Sequence, residues 1–225
     1  MRIVVVSDTH TRHEELGVTT ADVLIHCGDG CDGFRRDPTD VDRLDDWFSR
    51  QRAGLVLGIG GNHDFEVERR SRASVTVFAH AVYLQDGLYE HQGCTFYGAP
   101  WTPELSSWAF FQDGEGMRRK WASVPSAVDV LITHTAPYGI LDQNRHGRSL
   151  GCRDLMERMP AIRPRLHVFG HNHASAGSAR IGPTLHVNAS MVNSQYKICR
   201  KPLEIDIEVG AQSPALLVTD FTPPH

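Results

Sequence analysis

The sequence of 225 residues predicts an α/β sandwich of two β-sheets with outer helices. Three observations lead to this fold class. Short apolar runs rich in β-branched residues recur along the chain, and each ends in a cluster of Gly, Asp, His or Asn. Helical patterns lie between some of these runs, and the C-terminal third is richer in strands. We expect a single domain over residues 1–221 and a short tail over residues 222–225, which contains two prolines.

Five apolar runs have the length of a strand, and a polar cluster follows each of them directly. They are Ile3–Val6 before Ser7–His10, Val23–Ile25 before His26–Asp29, Leu55–Ile59 before Gly60–Asp64, Val130–Ile132 before Thr133–Thr135, and His167–Phe169 before Gly170–His173. In open α/β sheets, ligands bind outside the carboxyl ends of the strands. If the strands lie side by side, the five clusters should therefore converge on one edge.

The remaining elements follow from spacing and from helix-terminating residues. Helices are predicted around Val41–Phe48, over Met117–Val124 and over Cys152–Met159, and strands over Thr184–Val187, Leu203–Val209 and Leu216–Thr219. Thr39 and Asp42 have the spacing of a capping box at the start of the first helix. Pro160 should end the third helix, because proline lacks a backbone N–H.

Charge and composition exclude several kinds of partner. A formal net charge of −4 argues against a long nucleic acid as the partner, although it is compatible with a single nucleotide. No stretch approaches the roughly 20 apolar residues of a membrane span. The apolar run at the N-terminus is too short for a signal peptide, so the cytoplasm is the expected location. The five cysteines form neither a disulfide framework nor a zinc-finger pattern.

The predicted edge gathers seven side chains that commonly bind metals. They are Asp8, His10, Asp29, Asn62, His134, His171 and His173. Carboxylate, amide and imidazole ligands without thiolate suit Mn, Fe, Zn, Ni or Co rather than a structural zinc. Seven ligands are too many for one cation but suffice for two if one carboxylate bridges. Paired cations roughly 3.5 to 4 Å apart clamp a phosphoryl group and activate water. Each motif alone is weak, but five in this order predict a metal-dependent phosphoesterase.

The ordered motifs resemble those of the calcineurin-like metallophosphoesterases. The motifs are Asp8-x-His10, Gly28-Asp29-x-x-Asp32, Gly61-Asn62-His63-Asp64, His134 and Gly170-His171-x-His173. A closer similarity exists to the metallophosphoesterase-domain-containing subfamily of the fetal-brain type. It is carried by Pro100-Trp101, Ser107–Phe110, Thr133–Pro137, Leu166–His171 and Val187–Ser190.

The resemblance implies a fold, a ligand set and an activity. The fold is a four-layer αββα sandwich. Asp29 would bridge two divalent cations, and the other ligands would divide between them. The first cation would take Asp8, His10 and His173, and the second would take Asn62, His134 and His171. The implied enzyme is a phosphodiesterase for small or cyclic nucleotide diesters, often with manganese, in which a metal-bridging hydroxide attacks phosphorus.

His63 is predicted to act as a general acid rather than as a metal ligand. Cleavage of a phosphate ester expels an alkoxide, which leaves more readily when a nearby imidazole protonates it. A carboxylate on the far ring nitrogen would fix the tautomer and favour the protonated ring, and the resemblance pairs Asp32 with His63. The alternative is that Asp32 merely caps the turn after Asp29.

Several other polar and aromatic residues are candidates for supporting roles. Arg145 and Arg148 are candidates for phosphate contact, since the planar fork of arginine suits phosphate, although loop arginines are usually solvated. Asp64 should cap the next helix, and Asn188 could support a ligand from behind. His26, His167 and His186 lie inside strand patterns and are expected to be packed or exposed histidines. The aromatic residues Trp101, Trp108, Phe110 and Phe111 are expected mainly in the core, with some contribution to a nucleobase pocket.

Three other functions remain open. A phosphomonoesterase, acting on a small molecule or a protein, needs the same metal core. A non-catalytic interaction module on the same fold is disfavoured, because all seven ligand positions and His63 hold suitable residues. A DNA nuclease is disfavoured by the acidic balance. The expected partner is a small phosphoester, and the sequence predicts no oligomeric state.

Overall fold

Two six-stranded β-sheets form the centre of the protein in a computed structural model that describes residues 1–211 and 213–219. The predicted tail over residues 222–225 lies outside the described residues. The strands are β1 (Arg2–Val6), β2 (Thr20–His26), β3 (Arg52–Gly58), β4 (Val82–Tyr83), β5 (Gly87–His91), β6 (Cys94–Ala99), β7 (Val130–Thr133), β8 (Leu166–Phe169), β9 (Gly177–Ile181), β10 (Thr184–Asn188), β11 (Leu203–Asp206) and β12 (Leu216–Leu217).

Both sheets are mixed, and each has a parallel centre. The first sheet has the order β12-β11-β1-β2-β3-β4, in which β1 to β4 run parallel, β11 runs antiparallel to β1, and β12 runs antiparallel to β11. The second has the order β5-β6-β7-β8-β10-β9, in which β6, β7, β8 and β10 run parallel. The parallel strands of each sheet therefore end at one edge.

Burial on both faces of the sheets explains their apolar sequences. Ile3 and Val5 of β1 share an apolar cluster with Phe96 and Ile132 of the second sheet, so these faces pack against each other. Val4 and Val6 point the opposite way and join the cluster that contains the helices. Alternate residues of a strand point to opposite faces, and strands covered on both faces read as continuous apolar runs.

Within the described residues, four α-helices cover the outer faces and complete the predicted four-layer αββα sandwich. They are α1 (Asp40–Ser49), α2 (Phe65–Arg72), α3 (Gly114–Ala122) and α4 (Arg153–Ile162). Phe48 of α1 lies against His26 of β2, with ring centroids 5.9 Å apart. Tyr97 of β6 reaches Ser123 at the end of α3, with their hydroxyl oxygens 3.5 Å apart. In the part of the chain that the structure describes, no helix is long and apolar enough to cross a membrane.

Two predicted details of the helix ends are wrong, although Thr39 does occupy the N-cap position of α1. The Thr39 side chain makes no cap bond to α1, because its hydroxyl donates to the carboxylate of Asp37 instead. Helix α4 continues through Pro160 to Ile162. Proline there lies in the last turn, where a missing N–H removes a single intrahelical bond.

The five polar clusters meet at one edge, as predicted. The Asp8 N–H donates to the Gly28 carbonyl at 3.0 Å, which joins the loops after β1 and β2. The ring Nδ1 of His134, which follows β7, lies 2.8 Å from the Cys27 carbonyl and links the second sheet to the first. Convergence thus follows from strand direction, although the clusters are far apart in sequence.

Candidate metal centre

All seven predicted ligands lie together in this edge. Asp8, His10, Asp29, Asn62 and His134 are buried, and His171 and His173 are half-buried. Four of them, Asp29, Asn62, His171 and His173, line a cavity of about 320 Å³. Each ligand position is set by the loop directly after one strand.

The first group of ligands lies on one side of the edge. The ring Nε2 atoms of His10 and His173 are 3.3 Å apart, and the Oδ1 of Asp8 is 3.6 Å from the Nε2 of His173. Both carboxylate oxygens of Asp8 also accept the backbone N–H of His171 at 3.0 Å. The Asp8 carboxylate is therefore oriented by the loop that carries the histidine ligands.

The second group lies beside the first. The amide oxygen of Asn62 is 3.0 Å from the Nε2 of His134 and 2.8 Å from the Nδ1 of His171. The Nδ1–H of His134 donates to the Cys27 carbonyl, so Nε2 is the ring nitrogen that faces the other ligands. A ligating imidazole usually has its other nitrogen fixed in this way.

Asp29 lies between the two groups. Its Oδ2 is 3.3 Å from the Nε2 of His134 and 3.9 Å from the Nε2 of His10. Its Oδ1 accepts the backbone N–H of His63 at 2.7 Å. One carboxylate oxygen thus holds the loop, and the other faces ligands of both groups.

Backbone conformation at the ligands is unusual and is held by close packing. Asp8, His10, Asp29 and His171 all have positive φ, between 42° and 68°. Non-glycine residues rarely adopt this region, and strained residues cluster at functional sites. A Cβ on Gly170 would overlap the side chains of Ser7 and Asp8, so only glycine fits there.

Asp64 is a site residue whose role the sequence did not reveal. It occupies the N-cap position of α2, but its side chain makes no cap bond, so the predicted capping role is wrong. Its carboxylate instead accepts the backbone N–H groups of Asp29, Cys31 and Gly61 at 2.7, 2.9 and 2.8 Å. Asp64 thereby joins the loop after β2 to the loop after β3.

The pKa values of Asp29, His10 and His171 favour the protonation states that bind metal ions. Burial alone would raise the pKa of Asp29, but the nearby imidazoles of His134, His63 and His10 hold the pKa well below its usual range. Burial lowers the pKa of both His10 and His171 to about 4. At neutral pH the site therefore presents an anionic Asp29 and neutral rings at His10 and His171, which are the forms that bind metals. His134 differs: burial would lower its pKa, but the neighbouring Asp29 carboxylate raises the pKa to about 9, so a cation would have to displace that proton.

The donor set fits two divalent cations. Three groups of His and Asp have ligand atoms within 4.8 Å of one another, and they overlap at His10 and Asp29. The groups are Asp8, His10 and His173; His10, Asp29 and His63; and Asp29, His134 and His171. All the donor atoms are nitrogen or oxygen. Such a donor set suits Mn, Fe, Zn, Ni or Co, the metals expected from the sequence.

His63 lies at the site, but the expected contact between the Asp32 carboxylate and the His63 ring is not formed. The far ring nitrogen of His63, Nδ1, accepts the backbone N–H of Gly33 at 3.3 Å, so the ring proton resides on Nε2, which is 4.0 Å from Asp29. The Asp32 carboxylate accepts the N–H groups of Phe34 and Arg35 and pairs with the Arg35 side chain. Asp32 therefore stabilises the turn after Asp29, which is the alternative role that the sequence allows.

The two candidate arginines, Arg145 and Arg148, line different cavities. Arg145 is exposed and lines the same cavity as Asn62 and His171. Arg148 lines a neighbouring cavity of about 780 Å³ that contains none of the seven ligands. Asn188 donates to the backbone carbonyls of Leu141 and Asn172 at 3.1 and 2.9 Å, so it supports the loop between the two histidine ligands.

Aromatic residues divide between the core and the mouth of the site. Trp101 and Phe110 are buried, as expected, whereas Trp108 is half-buried beside His63 with ring centroids 4.6 Å apart. Two residues that the sequence did not single out, Phe34 and Tyr196, also lie here. No motif marks them, because they come from loops distant in sequence.

Comparison with known proteins identifies the family of this chain. Residues 1–175 match the family model of the calcineurin-like phosphoesterases. The chain is 31% identical to metallophosphoesterase domain-containing protein 1 of Homo sapiens over 239 residues, which cover 94% of this chain and 72% of that protein. It is 32% identical to a UPF0046 protein of Caenorhabditis elegans over 232 residues, which cover 92% and 81% of the two chains.

Solved structures share the fold at low identity. A dimetal phosphatase from Danio rerio superposes with a TM-score of 0.55 at 11% identity, covering 97% of this chain and 98% of that one. A phosphopantetheinyl hydrolase from Mycobacterium tuberculosis gives 0.55 at 14% identity, covering 86% and 90%. At these identities the likeness concerns the sandwich architecture alone.

Proposed function

Because the chain belongs to the calcineurin-like phosphoesterase family, we propose that it is a dinuclear phosphodiesterase that hydrolyses small or cyclic nucleotide diesters. The observation that carries the proposal is the position of Asp29, whose Oδ2 faces His10 of one ligand group and His134 of the other. A family of phosphoric ester hydrolases and a paired donor set support the same reaction. The preference for diesters rests on the subfamily resemblance.

The ligand assignment is part of the proposal. Asp8, His10 and His173 would hold one cation, Asn62, His134 and His171 would hold the other, and Asp29 would contribute its carboxylate to both. Manganese is the proposed metal. Two divalent cations at such a site polarise the phosphoryl oxygens and lower the pKa of the attacking water.

His63 is proposed to assist departure of the leaving oxygen. Its Nε2 carries a proton on the cavity side, because the Gly33 N–H occupies the opposite nitrogen. A neutral ring can donate a hydrogen bond from Nε2, and a protonated ring can transfer the proton itself. Asp32 contributes by holding the turn that presents Gly33.

The test of the proposed function compares matched esters. Purified protein supplied with manganese is assayed with bis(p-nitrophenyl) phosphate and with p-nitrophenyl phosphate, which share one leaving group, followed by cyclic and linear nucleotide diesters. We expect a higher kcat/KM for the diester. Faster cleavage of the monoester would identify a phosphomonoesterase, and no cleavage of either, with metals bound, would identify a non-catalytic module.

Replacing His63 by alanine is expected to lower kcat by about 10²- to 10⁴-fold for an alkoxide leaving group while both metals stay bound. The loss should be smaller for p-nitrophenolate, which needs little protonation. The measurement is kcat for both leaving groups together with metal content. The exposed residue His80, which pairs with Asp45, provides the control variant His80→Ala. Equal losses for both leaving groups would assign His63 to substrate binding instead.

Replacing His171 by glycine is expected to weaken the second cation and spare the first. The backbone at His171 has a φ of 68°, which glycine adopts without strain, so the fold should persist. Activity should recover in part at high manganese. Rate and metal content are measured against manganese concentration, with His173→Gly as the matched variant for the first cation. If the mutant saturates at the wild-type manganese concentration, His171 is not a ligand.

A further inference from the structure

We propose that Phe34, Trp108 and Tyr196 form an aromatic subsite that binds a planar aromatic group on the substrate's phosphoester. We call these three residues the aromatic collar. This proposal rests on the proposed function, because the collar would bind part of the phosphoester that the metal centre hydrolyses. One ester substituent of the substrate would then be an aryl or heteroaryl group.

The aromatic collar lies beside His63 and His10. The Phe34 ring lies 5.3 Å from His63, 5.4 Å from Trp108 and 6.0 Å from Tyr196, close to perpendicular in each case. The Tyr196 ring lies 4.7 Å from His10 and 6.0 Å from His63. Aromatic rings favour such edge-to-face contacts at centroid distances of about 4.5 to 7 Å.

Exposure distinguishes the collar from the core. Phe34 is 67% exposed, although phenylalanine gains most from burial. Among the exposed large hydrophobic side chains of residues 1–211 and 213–219, it is the single aromatic one. Isolated exposed apolar residues are ordinary on protein surfaces. Phe34 is not isolated, because two half-buried aromatic rings adjoin it at the mouth of the metal centre.

The turn that carries Phe34 is built against His63. The Asp32 carboxylate accepts the N–H groups of Phe34 and Arg35 at 2.9 and 3.3 Å, which closes the turn. A Cβ on Gly33 would come within 2.7 Å of the His63 ring nitrogen Nδ1, so the turn is pressed onto that ring. The position of Phe34 beside His63 is therefore fixed by its backbone.

Tyr196 and Trp108 are held by separate loops. Tyr196 has a φ of 58°, a genuine outlier for a bulky residue, and its N–H donates to the Asn193 carbonyl at 3.0 Å. The loop of Trp108 is tied to the site because the next residue, Ala109, donates its N–H to the Asn62 carbonyl at 3.1 Å. The loop places the Tyr196 ring edge-to-face against His10, with an angle of 85° between the ring planes.

Three rings at one mouth favour a planar guest. Stacking on aromatic side chains contributes substantially to binding and tolerates any group with a π-face. A saturated group of equal size offers only apolar surface. The collar lies beside His63 and His10, so the guest is held next to the phosphoryl group that the metal ligands would bind.

The test compares two ligands of equal size that differ in planarity. Dissociation constants of phenylphosphonate and cyclohexylphosphonate are measured by calorimetry on manganese-loaded wild type, Phe34→Leu, Trp108→Leu and Leu88→Ala. Leucine keeps apolar surface and removes the aromatic face. We expect wild type to bind the phenyl compound roughly tenfold more tightly, as stacking on a ring predicts, and the ratio to approach one in both leucine variants. Leu88 is exposed on β5, outside the collar, and its variant should keep the wild-type ratio.

The outcomes separate the collar from the catalytic proposal. A wild-type ratio near one, or a ratio unchanged in Phe34→Leu and Trp108→Leu, overturns the collar. An equal change in Leu88→Ala also overturns it, because the effect is then not local. Turnover of bis(p-nitrophenyl) phosphate is measured on the same samples. Without turnover the proposed function fails, and the binding ratio still decides whether the collar recognises planar groups.

Discussion

Asp29→Ala is expected to abolish phosphoester hydrolysis and to reduce the bound metal to at most one cation per chain. The Oδ2 of Asp29 is the anionic atom that faces both ligand groups. Two unit charges 4 Å apart at an effective dielectric of 20 interact by about 4 kcal/mol, and two divalent cations repel each other more strongly. Without the shared carboxylate this repulsion is uncompensated.

Asp29→Asn serves as the matched variant. Asparagine keeps an oxygen that can accept the His63 N–H, as the Oδ1 of Asp29 does at 2.7 Å, so the loop should stay in place while the charge is lost. Metal content by elemental analysis and kcat are measured for both variants. Activity within about tenfold of wild type, a difference of 1.36 kcal/mol in activation free energy, would refute the bridging role.

Asp64→Ala is expected to destabilise the metal-free protein by about 3 kcal/mol or more. The substitution removes the acceptor of three buried backbone N–H groups, at Asp29, Cys31 and Gly61. Each buried donor left without a partner costs about 1 to 3 kcal/mol. Such a loss is a large part of the 5 to 15 kcal/mol typical of a domain, so metal binding should weaken as well.

Asp45 provides the control for this prediction. Its carboxylate also accepts two backbone N–H groups, from Ala79 and His80, but these lie at the exposed surface, where water can replace the acceptor. The free energy of unfolding is measured by urea denaturation in the presence of a chelator. A loss for Asp64→Ala no larger than that for Asp45→Ala would show that Asp64 does not hold the two loops.

Metal ligands could be located from the sequence because each directly follows a strand. His134 comes after β7, and the parallel direction of the strands is enough to bring it to the common edge. The hairpin of β5 and β6 was not predicted. Its turn is Gln92-Gly93, both with positive φ, whereas the familiar signal for such a turn is Asn or Asp before Gly.

Side-chain partners inside the loops were harder to predict. Asn62, His63 and Asp64 are adjacent polar residues, and sequence alone does not say which of them faces the ligands and which holds the backbone. Asp32 was expected on the His63 ring because a carboxylate suits that nitrogen, yet local bonds to Phe34 and Arg35 take it up. Short polar side chains often bond to backbone within their own turn.

The distribution of ligands over the two sheets gives the centre a mechanical role. Asp8 and His10 follow a strand of the first sheet, whereas His173 follows a strand of the second. Asn62 and His134 divide in the same way. Apolar packing between sheets is non-directional and resists sliding weakly, but coordination bonds have fixed lengths. Each bound cation would therefore cross-link the two sheets of the sandwich. Sliding of one sheet against the other would change the distances between the metal ligands at the edge that binds the phosphoryl group.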